Sequence, residues 1–198
     1  MKINYDLVMQ ETIKKLDGKK PDLLLHSCCA PCSSSVIERL KDNFNLVVYY
    51  YNPNIFPNSE YIIRKEEQKR YLESLNIPFI EGNYDKQSFY DAIEGLENEL
   101  EGGKRCYECY KFRMNSCAKL CKDMNFEYFC TTLSVSPHKN STYINEIGEE
   151  LENKYGVKFL HSDFKKRQGF LRSTQISREQ NFYRQNYCGC EYSIKIKE

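Results

Sequence analysis

Tryptophan is absent from this 198-residue chain, histidine occurs three times, and the formal net charge is only +1. So even a balance announces no nucleic-acid or membrane partner by itself. No apolar run approaches the ~20 residues that cross a bilayer. Met1 to Lys20 is charged and lacks the apolar stretch of a signal segment. The chain is therefore expected to be cytoplasmic and free of membrane. A further absence bears directly on chemistry. The turn after the first apolar run reads His26-Ser27-Cys28-Cys29-Ala30-Pro31-Cys32 and holds no glycine. Nucleotide-binding folds use glycine there to bring backbone amides up to a phosphate. Its absence argues against nucleotide hydrolysis.

Cysteine is what the chain has in surplus, ten in all. Seven fall in three tight groups: Cys28, Cys29 and Cys32; Cys106 and Cys109; Cys188 and Cys190. In a reducing compartment such groups point to metal binding or catalysis rather than to a disulfide framework. Four thiolates from two short motifs can complete one metal site and leave the third pair for redox work. Zinc and iron–sulfur clusters use the same ligands, so spacing does not choose between them. Cys32 would either face that site or pack beside it. A disulfide across Cys188-Gly189-Cys190 would close a small, strained and labile ring, which suits delivery of two electrons better than stapling. Cys117, Cys121 and Cys130 read as small buried hydrophobes. Among the histidines, His26, His138 and His161 form no ligand pair by spacing, and His138 is the candidate proton donor.

Short apolar runs alternate with longer amphipathic ones. The pattern predicts strands at 22–26, 45–51, 78–80, 126–132 and 157–161. Helices are predicted at 31–41, 59–75, 86–100, 106–124 and 142–154, with two short ones between Phe164 and Asn186. This alternation implies one α/β domain over 1–198: a Rossmann-like parallel sheet with helices on both faces and a metal site at the C-terminal ends of the strands. Residues 1–20 read as an N-terminal helical extension, and 164–198 as a helical C-terminal segment carrying the C-x-C motif. Charge is segregated, with an acidic run over 91–101 and basic runs over 104–113 and 165–184, so a local basic face is possible.

Five longer segments carry a resemblance. They are Leu-Leu-His-Ser-Cys-Cys-Ala-Pro-Cys-Ser, Tyr-Tyr-Asn-Pro-Asn-Ile-Phe-Pro, Glu-Gly-Gly-Lys-Arg-Cys-Tyr-Glu-Cys-Tyr-Lys-Phe-Arg, Thr-Thr-Leu-Ser-Val-Ser-Pro-His-Lys and Tyr-Arg-Gln-Asn-Tyr-Cys-Gly-Cys-Glu-Tyr-Ser. In this order, over roughly residues 22–193, they resemble the cobalamin-independent epoxyqueuosine reductases, the QueH family. The resemblance implies an adenine-nucleotide-hydrolase-like fold built around a [4Fe–4S] cluster. By motif position the ligands would be Cys28, Cys29, Cys106 and Cys109, with Cys188 and Cys190 a redox-active disulfide pair. It also implies an additional iron ion, for which Cys32 is our candidate neighbour. The implied reaction is the last step of queuosine synthesis, in which epoxyqueuosine in the anticodon of tRNA becomes queuosine with electrons from an external donor. Rings such as Tyr50, Tyr51 or Tyr107 would stack on a splayed base, and the basic segments would hold phosphates.

Three rival readings remain at this point. A tRNA sulfurtransferase would need the nucleotide loop that is missing. A zinc-stabilised RNA-binding module leaves Cys188 and Cys190 idle. A plain thiol–disulfide oxidoreductase leaves the other clustered thiols unexplained.

Overall fold

The computed structural model describes residues 3–194. Its centre is β1 (Asp22–Ser27), whose Leu23-Leu24-Leu25 run is fully buried. Such a continuous apolar run belongs to a parallel strand covered on both faces. Side chains alternate across the pleat, so Leu23 and Leu25 enter one core and Leu24 the other. β2 (Asn45–Tyr50) and β4 (Tyr128–Thr131) flank β1, with β3 (Phe79–Glu81) and β5 (Lys158–Phe159) at the edges. All neighbours are parallel, in the order β3-β2-β1-β4-β5. The register sets Leu24 beside Val47 and Phe129.

One core holds α1 (Tyr5–Lys15), α2 (Ala30–Leu40) and α7 (Gly169–Glu179) against the sheet through Met9, Val36, Ile37, Leu40 and Ile176. α3 (Asn58–Ser74) adds Tyr71 and Leu72 to it. The opposite core is built by α5 (Lys104–Asp123) and α6 (Ser141–Tyr155) through Met114, Cys117, Cys121, Ile144, Ile147 and Leu151. Gly148 lets α6 close on the sheet, because a Cβ there would lie 2.2 Å from the Phe159 ring. The chain leaves β1 toward β2 on one side and returns to β4 on the other. That reversal opens a crevice at the carboxyl ends of β1 and β4, where ligands of such sheets bind. No described helix is long and apolar enough to cross a membrane.

Two expected elements differ. The acidic helix over 86–100 stops early, as α4 (Lys86–Ala92). Gly95 takes a left-handed φ of 77°, and the buried Arg105 holds the following turn by donating to the carbonyls of Glu97, at 2.7 Å, and Glu99. Between Phe164 and Asn186 there is one α-helix, α7, rather than two. Arg167 and Gln168 have φ of 51° and 60°, and Asn181 has 52°, so left-handed residues bound the helix on both sides.

Candidate thiol centre

The first cysteine motif spans the end of β1 and the first turn of α2. The Sγ atoms of Cys28, Cys29 and Cys32 all lie within 4.8 Å of one another, with Cys28 and Cys29 3.7 Å apart. Thr132 Oγ1 is 3.9 Å from Cys28 Sγ, and Gln185 Nε2 donates to Cys29 Sγ at 3.2 Å. No glycine is needed because side chains brace the turn. Gln68 Oε1 accepts from Ser27 Oγ at 2.8 Å and Ser33 Oγ at 2.9 Å, and Asn52 Nδ2 donates to the Ser27 carbonyl at 2.9 Å.

Buried His26 belongs to the same bracing. Its Nε2 lies 3.1 Å from the Tyr51 carbonyl, which can only accept, so Nε2 carries the proton and Nδ1 accepts from Thr131 Oγ1 at 2.9 Å. Burial, and then the Arg113 charge, push its pKa down to about 3. It stays neutral and structural.

The trio titrates unequally. Hydrogen bonds from Cys29 and Cys32, helped by the charges of Lys139 and Arg113, outweigh burial and hold the Cys28 thiol well below the ordinary range. The Cys28 sulfur in turn pushes Cys29 up to about 12 and Cys32 well upward. Of the three, Cys28 is thus the thiol most readily deprotonated. A soft metal ion would displace the thiol protons, so the all-sulfur donor set fits zinc or iron with thiolate ligands.

Cys106 and Cys109 occupy the start of α5 and stand outside this three-sulfur group. The Gly102 N–H donates to Cys106 Sγ at 3.2 Å, and Cys109 packs in a small cluster with Phe89, Ile93 and Cys190. Burial raises both thiols, Cys109 to about 12. The structure thus gathers Cys28, Cys29 and Cys32 at one point and sets Cys106 and Cys109 beside the C-terminal motif.

That motif is strapped over the centre. The Phe56 N–H donates to the Gly189 carbonyl at 2.8 Å, and Arg64 Nη1 donates to the Cys188 carbonyl at 3.2 Å. Gly189, at φ 135°, is required there. A Cβ would sit 3.0 Å from Arg64 Nη1 and 3.3 Å from Ile55 Cγ1. Cys188 and Cys190 are both free thiols. Cys188 turns to the cavity, whereas Cys190 is held against Phe89 and Cys109.

The cavity above the trio measures about 340 Å³ and is lined by Cys28, Cys32, Cys188, His138, Lys139 and Phe170 among others. His138 stands at its exposed rim. Burial opposes the charge on Lys139, yet the sulfurs of Cys188, Cys28 and Cys32 overcome it and raise its pKa. Lys139 also walls a second cavity of about 470 Å³ that carries Lys165 and Lys166.

Of the rings expected to stack, Tyr50 is buried in the core, Tyr51 stacks on Tyr49 and Tyr107 meets Tyr143 edge-on. The rings on the cavity are Tyr110, Phe170 and Tyr187. Sequence reasoning also missed Arg64, Arg113 and Gln68. For Arg113 a signal existed, a cation one helical turn after Cys109.

The model of the family described as epoxyqueuosine reductase QueH matches residues 23–196. The chain belongs to this family. The epoxyqueuosine reductase QueH of Streptococcus pyogenes serotype M1 is 39% identical over 204 residues, covering 99% of this chain and 80% of that protein. That of Staphylococcus epidermidis is 40% identical over 202 residues, covering 97% and 85%. Among solved structures, the U34-tRNA thiolase NcsA from Methanococcus maripaludis with its [4Fe-4S] cluster matches with a TM-score of 0.53. Identity is 12%, over 96% of this chain and 68% of that one, so the likeness is one of fold. The chain therefore shares an α/β fold with that protein, and its first cysteine motif lies at the carboxyl end of β1, where parallel sheets of this kind bind ligands.

Proposed function

We propose that the thiol-lined cavity is where this chain removes the epoxide oxygen of epoxyqueuosine at the wobble position of tRNA, giving queuosine. Membership of the family makes the chain an oxidoreductase, an epoxyqueuosine reductase acting in queuosine synthesis. One observation carries the placement: a single cavity joins the depressed thiol Cys28, the C-x-C thiol Cys188 and the cation Lys139.

We assign a [4Fe–4S] cluster to Cys28, Cys29, Cys106 and Cys109, and an additional iron to the neighbourhood of Cys32. When bound, such a group supplies electrons singly, and an open iron position polarises the epoxide oxygen. The remaining work falls to the protein. Epoxide to alkene consumes two electrons and two protons and releases one water. The Cys188 and Cys190 thiols supply the two electrons when they close to a disulfide and shed their two protons to solvent, from which the epoxide oxygen takes two. An external donor then reduces the pair again. Lys139 stabilises negative charge on the departing oxygen, and His138 at the rim delivers a proton from solvent. Phe170 offers a ring to a splayed base, and the cavity with Lys165 and Lys166 takes the adjoining phosphates. In this reading residues 1–198 act as one cytoplasmic α/β domain whose segment from 164 onward carries the C-x-C motif to the sheet edge.

The test uses whole tRNA bearing epoxyqueuosine, incubated anaerobically with iron-loaded protein and a low-potential reductant. Mass analysis of the digested nucleosides should find queuosine. An intact epoxide with cluster-replete protein, across several reductants, would sink the reading. Colourless protein that holds zinc tightly would favour the RNA-binding module instead.

A further inference from the structure

Two arginines are buried at the centre, and they are balanced differently. Arg64 forms an ion pair with Glu60 at 2.6 Å. Arg113 is 2% exposed and, among the described residues, has no carboxylate within ion-pair distance. Its Nη2 donates to Asn52 Oδ1 at 2.6 Å, and Asn52 in turn holds the Ser27 carbonyl before the cysteine turn. Its Nη1 lies 3.9 Å from Cys109 Sγ, and its Nε has no partner.

A buried guanidinium without a counter-charge is heavily penalised. Among the described residues the side-chain partners of Arg113 are Cys109 of the second motif and, through Asn52, the Ser27 carbonyl that adjoins Cys28 of the first. One side chain thus links the first two motifs. A positive charge so placed, in a water-poor interior, acts more strongly on its neighbours than a surface charge would. It favours whichever state of the bound group carries more negative charge.

We propose that Arg113 is a positioning residue that ties the first two cysteine motifs together and stabilises the reduced state of the iron–sulfur group held there. The proposal rests on the cluster assignment above. Arg113→Gln removes the charge and retains a hydrogen-bonding group for Asn52. Arg113→Lys restores the charge.

Loaded wild-type, Arg113→Gln and Arg113→Lys proteins would be titrated anaerobically and followed by cluster absorbance. At a fixed potential, the reduced-to-oxidised ratio should fall about tenfold or more in Arg113→Gln, equivalent to ~59 mV for one electron. Arg113→Lys should recover most of it. A merely structural arginine would lower stability without moving the potential. An Arg113→Gln protein that loads fully and titrates with the wild type overturns the inference. Failure of the wild type to take up iron and sulfide would instead overturn the cluster assignment.

Should Arg113→Gln fail to load, melting of the metal-free proteins decides. Metal-free Arg113→Gln melting within a few degrees of the metal-free wild type supports a role exerted through the bound group. A metal-free variant that is already unfolded assigns the arginine to the fold alone.

Discussion

Cys130 and Cys28 sit at neighbouring strands of the same sheet, both buried, and do opposite things. The core thiols find backbone acceptors, and Cys130 also lies 3.8 Å from the Ser162 hydroxyl. Cys117 Sγ lies 3.7 Å from the Leu24 carbonyl, Cys121 Sγ 3.4 Å from that of Phe126, and Cys130 Sγ 3.4 Å from that of Leu160. A carbonyl can only accept, so it keeps the proton on sulfur, and burial raises all three thiols. Cys28 meets other thiols, a hydroxyl and two cations instead. Burial alone therefore makes a cysteine inert. The partners decide whether it becomes a ligand or nucleophile.

The largest test of that contrast is substitution. Cys28→Ala and Cys106→Ala are expected to lose iron and sulfide and to drop turnover below detection. Cys117→Ala should keep both, with turnover within about threefold of wild type and a stability loss of about 1–2 kcal/mol for the vacated core volume. Metal analysis of the anaerobically reconstituted proteins, with nucleoside analysis alongside, makes the check. Full metal content in Cys28→Ala would erase the distinction between turn and core.

How much of this was legible in the sequence follows from the range of the forces involved. The leucine run 23–25 and the alternation with amphipathic stretches determine the parallel sheet, because burial on both faces leaves a local pattern. The grouping of Cys28, Cys29 and Cys32 follows from one strand end and one helix turn, which are local too. Arg64 and Gln68 were invisible because their partners Cys188 and Ser27 lie far along the chain, and of Arg113 only the spacing to Cys109 was local, its Asn52 contact being distant. The early stop of α4 was hidden for a related reason. An amphipathic acidic stretch favours a helix until Arg105, beyond its end, captures the carbonyls of Glu97 and Glu99. Tyr50 and Phe170 are equally aromatic in sequence, and only the fold buries one and leaves the other on the cavity.

Chemical reactivity sharpens the contrast next. In metal-free, folded protein at pH 7, limiting iodoacetamide should modify Cys28 first, at least ~100-fold faster than Cys117, Cys121 or Cys130, because only the thiolate attacks. The modified residues would be read by peptide mass mapping. Equal labelling of Cys28 and Cys130 would show that the turn confers no thiolate character.

The smallest effect lies in alkaline stability. Burial pushes Cys130 up to about 12, whereas an unfolded thiol titrates near about 8.5. Between those values the native state holds a proton that the unfolded chain has lost, so the raised group stabilises below the unfolded pKa. That contribution is lost as pH rises toward the folded one, by about 1.4 kcal/mol per pH unit. Cys28 has the opposite sign, since its depressed native pKa means stability is gained as pH rises toward 8.5 and is lost on acidification. Metal-free wild type should therefore lose stability from pH 9 to 10.5, as read by urea unfolding at each pH. In that window Cys130→Ala should show a shallower slope than wild type. An unchanged slope in Cys130→Ala would mean that its proton is held no more tightly in the fold than in the open chain. The core thiol would then differ from Cys28 only in its neighbours and not in its titration.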